Sequence, residues 1–254
     1  MQYDIIFWLV AILAAVSVGL GKGGLPVVAS LAVPGLALFM SPIAAAGLLL
    51  PVYIASDIFA LIFYRKDYES TVLKIGIIGM TIGVIIGWAT AHMVIEWVVT
   101  VLIGLMGATY AIRQILLDIL SAKKTKTLNK KKGIFWCTIS GFTSFISHNG
   151  GPPWQIFILP IGLSKSVYVG TSVIAFSYVN AIKIPPYYFL GQMTLDTLTI
   201  ALYLVFPASI AVYIGYKLVR VIPEKLFFNI VSWALLLISL KLIWDGFQGA
   251  TQIQ

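Results

Sequence analysis

The chain has 254 residues, 60% of them hydrophobic and 10% charged, with a formal net charge of +8. A soluble globule carries about 25% charged residues, and one of this length has no interior large enough to hide so much apolar surface. Soluble enzymes, nucleic-acid binders and disordered scaffolds are therefore excluded, and the chain reads as an all-α integral membrane protein.

Five apolar segments fill the first half, at 4–19, 26–40, 42–64, 72–91 and 95–117. The N-terminus lacks a basic leader region and carries Asp4, so it reads as a retained membrane helix and not a cleaved signal. The first segment runs into Gly21-Lys22-Gly23-Gly24, with Pro26 beyond. Glycines let the backbone turn and approach a ligand, and a helix opening at Pro26 would present free N–H groups to an anion. Lys22 adds a full positive charge there, or else snorkels to a headgroup. Asp57 lies inside the apolar run YIASDIFALIF, and an intramembrane charge is a functional candidate by default. Gly76, Gly79, Gly83 and Gly87 approach the small-xxx-small spacing of closely packed membrane helices.

Residues 121–133, SAKKTKTLNKKKG, hold six Lys and form the one clear linker. Five more apolar segments follow, at 134–147, 153–163, 166–190, 195–216 and 226–244. The lone Cys137 reads as a small buried hydrophobe. His148-Asn149-Gly150-Gly151-Pro152-Pro153-Trp154 forms a second Gly-rich break. His148 and Asn149 have donors for substrate oxygens or for structural hydrogen bonds, His148 can also take a proton, and Trp154 suits either a pocket wall or helix packing. Segment 153–163 spans about 16 Å as a helix, too short for a hydrocarbon core of about 30 Å, and reads as half of a hairpin dipping partway in. Asn180 and Lys183 lie in the next apolar run, and Lys183 is a candidate to pair with Asp57, either as a buried structural ion pair or as a gate or proton-coupling site. Ser56, Ser177 and Thr171 are polar neighbours. Pro185-Pro186 predicts a helix break. Two His and one Cys offer no metal set, and HExxH, GxSxG and P-loop patterns are absent, so no metal, cofactor or enzymatic activity is expected.

The two halves match in order and spacing: Gly21–Pro26 with His148–Pro153, Gly47 with Gly170, Asp57 with Asn180, Glu96 with Glu224 and Arg113 with Lys241. An internal duplication follows, with a first transmembrane repeat at 1–120, the linker at 121–133 and a second repeat at 134–254. Three basic segments, Arg65 to Lys74, 121–133 and Lys217 to Lys225, hold twelve of the seventeen Lys and Arg. The positive-inside rule puts all three on one side only if each half crosses an odd number of times, which makes the repeats inverted, with both termini outside. In that arrangement the two Gly-rich tips meet near the midplane, the usual place of a transporter's substrate.

On these residues the chain resembles the TauE/SafE family of membrane transporters, the sulfite exporter family. GLGKGGLP at 19–26, SHNGGPP at 147–153, Gly170-Thr171-Ser172 and Asn180 carry the likeness, which covers about 5–245. The resemblance implies a secondary transporter in the cell (inner) membrane that moves sulfite, sulfoacetate or a related sulfonate. An anion channel or passive uniporter is the alternative reading. The substrate-binding candidates are Gly21, Lys22, Gly23, Gly24, His148, Asn149, Gly150, Gly151, Trp154 and Asn180, with Asp57 and Lys183 for coupling or gating. The expected partners are a small anionic substrate and the lipid bilayer, and not nucleic acid. Gly-rich helices suit either a homodimer contact or internal packing, and the sequence leaves both open.

Overall fold

The computed structural model describes residues 4–29, 31–36, 39–40, 42–93, 95–119 and 127–251. Linker residues 121–126 lie outside that set. The described residues form helices and no strands: α1 (Ile5–Lys22), α2 (Pro26–Ala29), α3 (Ala32–Leu36), α4 (Pro42–Tyr64), α5 (Ser70–Ala89), α6 (Glu96–Ile119), α7 (Lys130–Ser147), α8 (Gly151–Ile158), α9 (Lys165–Phe189), α10 (Leu195–Val221) and α11 (Glu224–Thr251), with a 3₁₀ turn at Leu159–Ile161 after α8. Six of them, α1, α4, α5, α9, α10 and α11, are long and apolar enough to cross a membrane. Leu9, Leu13, Ile58, Ile62, Leu202 and Phe206 are exposed on them. Such faces are costly in water and suited to lipid.

Local chemistry sets the helix ends. The Asp4 carboxylate caps α1 by accepting from the Phe7 N–H at 2.8 Å. Asn129 caps α7 through the Lys132 N–H at 3.0 Å, and Thr194 opens α10 with a capping box to Thr197. The apolar segment 26–40 is not one helix but two short ones, α2 and α3. α9 runs through Pro185 and Pro186 to Phe189, where the sequence predicts a break. Prolines are tolerated in membrane helices when neighbouring groups satisfy the freed backbone.

The chain forms two compact units, each drawing helices from both sides of the linker. Unit 1 spans 1–73 and 166–222, and unit 2 spans 74–165 and 223–254. In unit 1, Phe7, Ala11, Leu48, Val52, Ile200 and Leu204 belong to one core cluster. α1 packs along α10 in the parallel sense: Gly19 abuts the Ala208 carbonyl and Gly23 the Val212 carbonyl. α4 and α9 are antiparallel. Gly47, near the start of α4, abuts the Gln192 carbonyl beyond the end of α9, and Gly170, near the start of α9, abuts the Asp67 carbonyl beyond the end of α4.

Unit 2 has the same two kinds of pairing. α5 and α7 are parallel, with Gly79 against Cys137, Gly83 against the Thr138 carbonyl and Gly87 against Phe145. The spaced glycines of α5 therefore make the close helix contact that their spacing predicts. α6 and α11 are antiparallel, with Gly104 against Ile243 and Gly246 against Val101.

Candidate functional site

Polar side chains in the middle of apolar helices are expensive, so they need partners. In unit 1 the partners converge on Asp57, which is 3% exposed at mid-α4. The Lys22 ammonium at the end of α1 lies 2.5 Å from Asp57 Oδ1. The Ser177 hydroxyl is 2.8 Å from the same oxygen, and Asn180 Nδ2 donates to Oδ2 at 2.8 Å. Ser177 and Asn180 are three apart on α9, hence on one face. Asp57 thus pairs with Lys22, whereas the sequence offered Lys183. Lys183 is fully buried one turn beyond Asn180 and interacts electrostatically with both Lys22 and Asp57.

Two tyrosines complete this cluster. Lys22 Nζ lies 5.5 Å from the centre of the Tyr53 ring, and Lys183 Nζ 5.9 Å from that of Tyr187. Such placements stabilise a cation away from water. Sequence reasoning missed both, although each carried a signal: Tyr53 is four residues before Asp57 and Tyr187 four after Lys183, one helical turn away on the same face. Apart from the Asp57 pair, the Lys22 ammonium has no hydrogen-bond acceptor among the described residues, and the buried Ser56 hydroxyl has no partner there either.

The glycines of the first break lie in close packing contacts. α1 stays helical through Gly21 and Lys22, and the turn comes at Gly23 and Gly24. Gly24 has φ +114°, a conformation that L side chains rarely adopt, and a Cβ there would lie 2.8 Å from Val219 and 2.9 Å from the Tyr64 hydroxyl. The Gly23 carbonyl accepts from the Tyr64 hydroxyl at 2.7 Å. α2 opens at Pro26 as expected but lasts a single turn.

The second break lies in unit 2. His148 ends α7 in the left-handed conformation, φ 56°, with its N–H bonded to the Ser144 carbonyl. Asn149 Nδ2 donates to the Ser147 hydroxyl at 3.1 Å. The Thr143 hydroxyl donates to the Asn149 carbonyl at 3.1 Å, and the Ser140 hydroxyl to the Gly150 carbonyl at 2.7 Å. Gly151 opens α8, with Pro152 and Pro153 in its first turn. Trp154 is buried edge-on against Phe157, with ring centres 5.8 Å apart. One turn from Gly151, the buried Gln155 leaves its Oε1 without a partner among the described residues.

Lys22, Asp57, Asn180 and Lys183 are therefore together in unit 1. His148, Asn149, Gly150, Gly151 and Trp154 are together in unit 2. No group of three or more His, Cys, Asp or Glu suited to a metal ion occurs among the described residues.

Long apolar helices enclosing a charged, hydrogen-bonded cluster define a multi-pass membrane protein of the transporter class. The chain belongs to the sulfite exporter TauE/SafE family, whose model matches residues 6–242. That is a family of anion-exporting membrane transporters and not of enzymes. No curated protein and no solved structure matches the chain.

Proposed function

We propose that the protein is a secondary transporter of a small sulfur-containing anion, sulfite or a sulfonate such as sulfoacetate, working by alternating access in the cell membrane. The observation that carries this reading is the Lys22 ammonium, 6% exposed, paired to Asp57 and with hydrogen-bond donors still unfilled. An oxyanion offers those donors acceptors that the described residues do not. Lys22 supplies the positive charge, and Asn180 and Ser177 hold the Asp57 carboxylate in place. A proton taken up by Asp57 would release Lys22 to the anion, so proton and anion would travel together. His148, Asn149 and the Gly150-Gly151 turn are the second repeat's counterpart of the Gly21–Gly24 break.

The inverted-repeat reading is supported by packing. Matched helices pack antiparallel in each unit, α4 with α9 and α6 with α11. The parallel α1–α10 pair of unit 1 has its counterpart in the α7–α5 pair of unit 2. Exchange of two inverted halves produces such a pattern. In this reading the basic linker is cytoplasmic and both termini are outside.

The test is flux into liposomes holding the purified protein, with sulfite, sulfoacetate, sulfate, thiosulfate and acetate, each with and without a pH gradient. Selective sulfite or sulfonate flux, accelerated by the gradient and lost in Lys22→Gln, is expected. Equal flux of all five anions, or flux that cannot be driven against a concentration gradient, would favour a channel and overturn the proposal.

A further inference from the structure

Unit 2 holds a cavity of about 320 Å³ that the proposed transport site does not use. It lies where the apolar stretch of α6 (Thr100–Arg113) ends and α7 begins. Arg113 and Lys132 line it, together with Tyr110, Asn129, Trp136 and Phe157. Neither cation is ion-paired to a carboxylate among the described residues. Lys241, the position matched to Arg113 in the second half, is neutralised by Asp245, four residues on, whereas Leu117 stands four residues beyond Arg113 and Asp118 follows it. The Tyr110 hydroxyl is buried without a hydrogen-bond partner among the described residues, and it feels the Arg113 charge. The N-terminus of the 18-residue α7, at Asn129 and Lys132, adds a partial positive charge.

We infer that this cavity binds a phosphate ester, the headgroup of an anionic lipid. A guanidinium, an ammonium, a phenol O–H and a helix N-terminus are donors matched to phosphate oxygens. The Trp136, Phe157, Pro160 and Ile161 side of the cavity is apolar. It suits the glycerol and first methylenes of a lipid better than it suits a hydrated free ion. Basic pockets between membrane helices at a positively charged face take such headgroups.

The experiment is native mass spectrometry of the full-length protein exchanged into nanodiscs of phosphatidylglycerol or phosphatidylcholine, then released into detergent with and without inorganic phosphate. The wild type is expected to retain one phosphatidylglycerol and no phosphatidylcholine. The double variant Arg113→Gln, Lys132→Gln is expected to retain about 30-fold less, because both cationic donors to the phosphate are gone. Arg113→Lys is expected to keep most of the retention. Lys131→Gln, an exposed lysine outside the cavity, controls for bulk charge, and both changes in the double variant are at exposed side chains. Displacement of the lipid by phosphate supports the same donors acting on the phosphate group. Phosphate binding without lipid retention overturns the lipid assignment and gives the site to a soluble phosphate. Unchanged retention in the double variant, or equal retention of both lipids with no phosphate effect, overturns the inference.

Discussion

Asn180 hydrogen-bonds Asp57 at 2.8 Å, and these two residues occupy matching positions in the two halves of the sequence. Equivalent residues of two inverted halves touch only near the axis that exchanges them. The centre of the α4–α9 pair is therefore where the proposed pseudo-symmetry is closest, and it is where the carboxylate lies. In the proposed inverted repeat, one half would supply the acid and the other its amide counterpart, a pair asymmetric in charge at a symmetric place.

Asp57→Asn removes the carboxylate and leaves the Lys22 ammonium buried. Breaking a buried ion pair from one side costs about 3–5 kcal/mol. The variant should unfold at a clearly lower temperature in detergent, and Lys22→Met should cost less because it leaves a carboxylate still held by Ser177 and Asn180. The double variant should be more stable than the sum of the two losses predicts. Additive losses in a thermal-unfolding cycle would show that the pair is not coupled.

Much of this site was legible in the sequence. An aspartate and a lysine inside apolar runs announce themselves by cost, and the repeat register matched Asp57 with Asn180 as equivalent positions. The partner of Asp57 was not legible. Lys22 is 35 residues away, and only the packing of α1 in unit 1 brings its ammonium to the carboxylate in place of the nearer-matched Lys183. The path of α9 through Pro185-Pro186 was also hidden, because local propensity predicts a break that tertiary surroundings override.

Gly24→Ala should destabilise unit 1 by about 1–3 kcal/mol, since the residue must hold φ +114° and its methyl would press on Val219 and the Tyr64 hydroxyl. Tyr64→Phe, which only withdraws the donor to the Gly23 carbonyl, should cost about 1 kcal/mol. If Gly24→Ala proved as stable as the wild type by thermal unfolding, the turn would not require glycine.

Glu69 precedes α5, outside the spans. Burial pushes its carboxyl upward, but the N–H groups of Val72, at 2.5 Å, and Thr71, with the Thr71 side chain, together hold it below its ordinary value of 4.5. A carboxylate lowered on folding stabilises the native state above its unfolded pKa, and that stabilisation fades as pH falls through the folded value. Lowering the pH from 6 to below 4.5 should thus destabilise the wild type, while Glu69→Gln should lack this component. Identical pH profiles for the two proteins, measured by thermal unfolding, would remove Glu69 from the account.

The orientation of the halves yields the sharpest topological prediction. Lys66, Lys131 and Lys225 belong to the three basic segments, which inverted repeats place on the cytoplasmic face. His92 and Asp196 belong to loops without Lys or Arg and should lie outside. Single cysteines at these five positions, in a Cys137→Ser background, can be labelled in intact cells with a membrane-impermeant maleimide. All five native side chains are exposed, so labelling reports sidedness and not access. Inverted halves require protection at positions 66, 131 and 225 and reaction at 92 and 196. Parallel halves would move position 225 outside, because four crossings per half return the chain to its starting side. Reaction at 225 alongside protection at 66 and 131 would therefore falsify the inverted arrangement. It would leave the Lys22–Asp57 cluster intact, because the residues of that cluster lie within one unit.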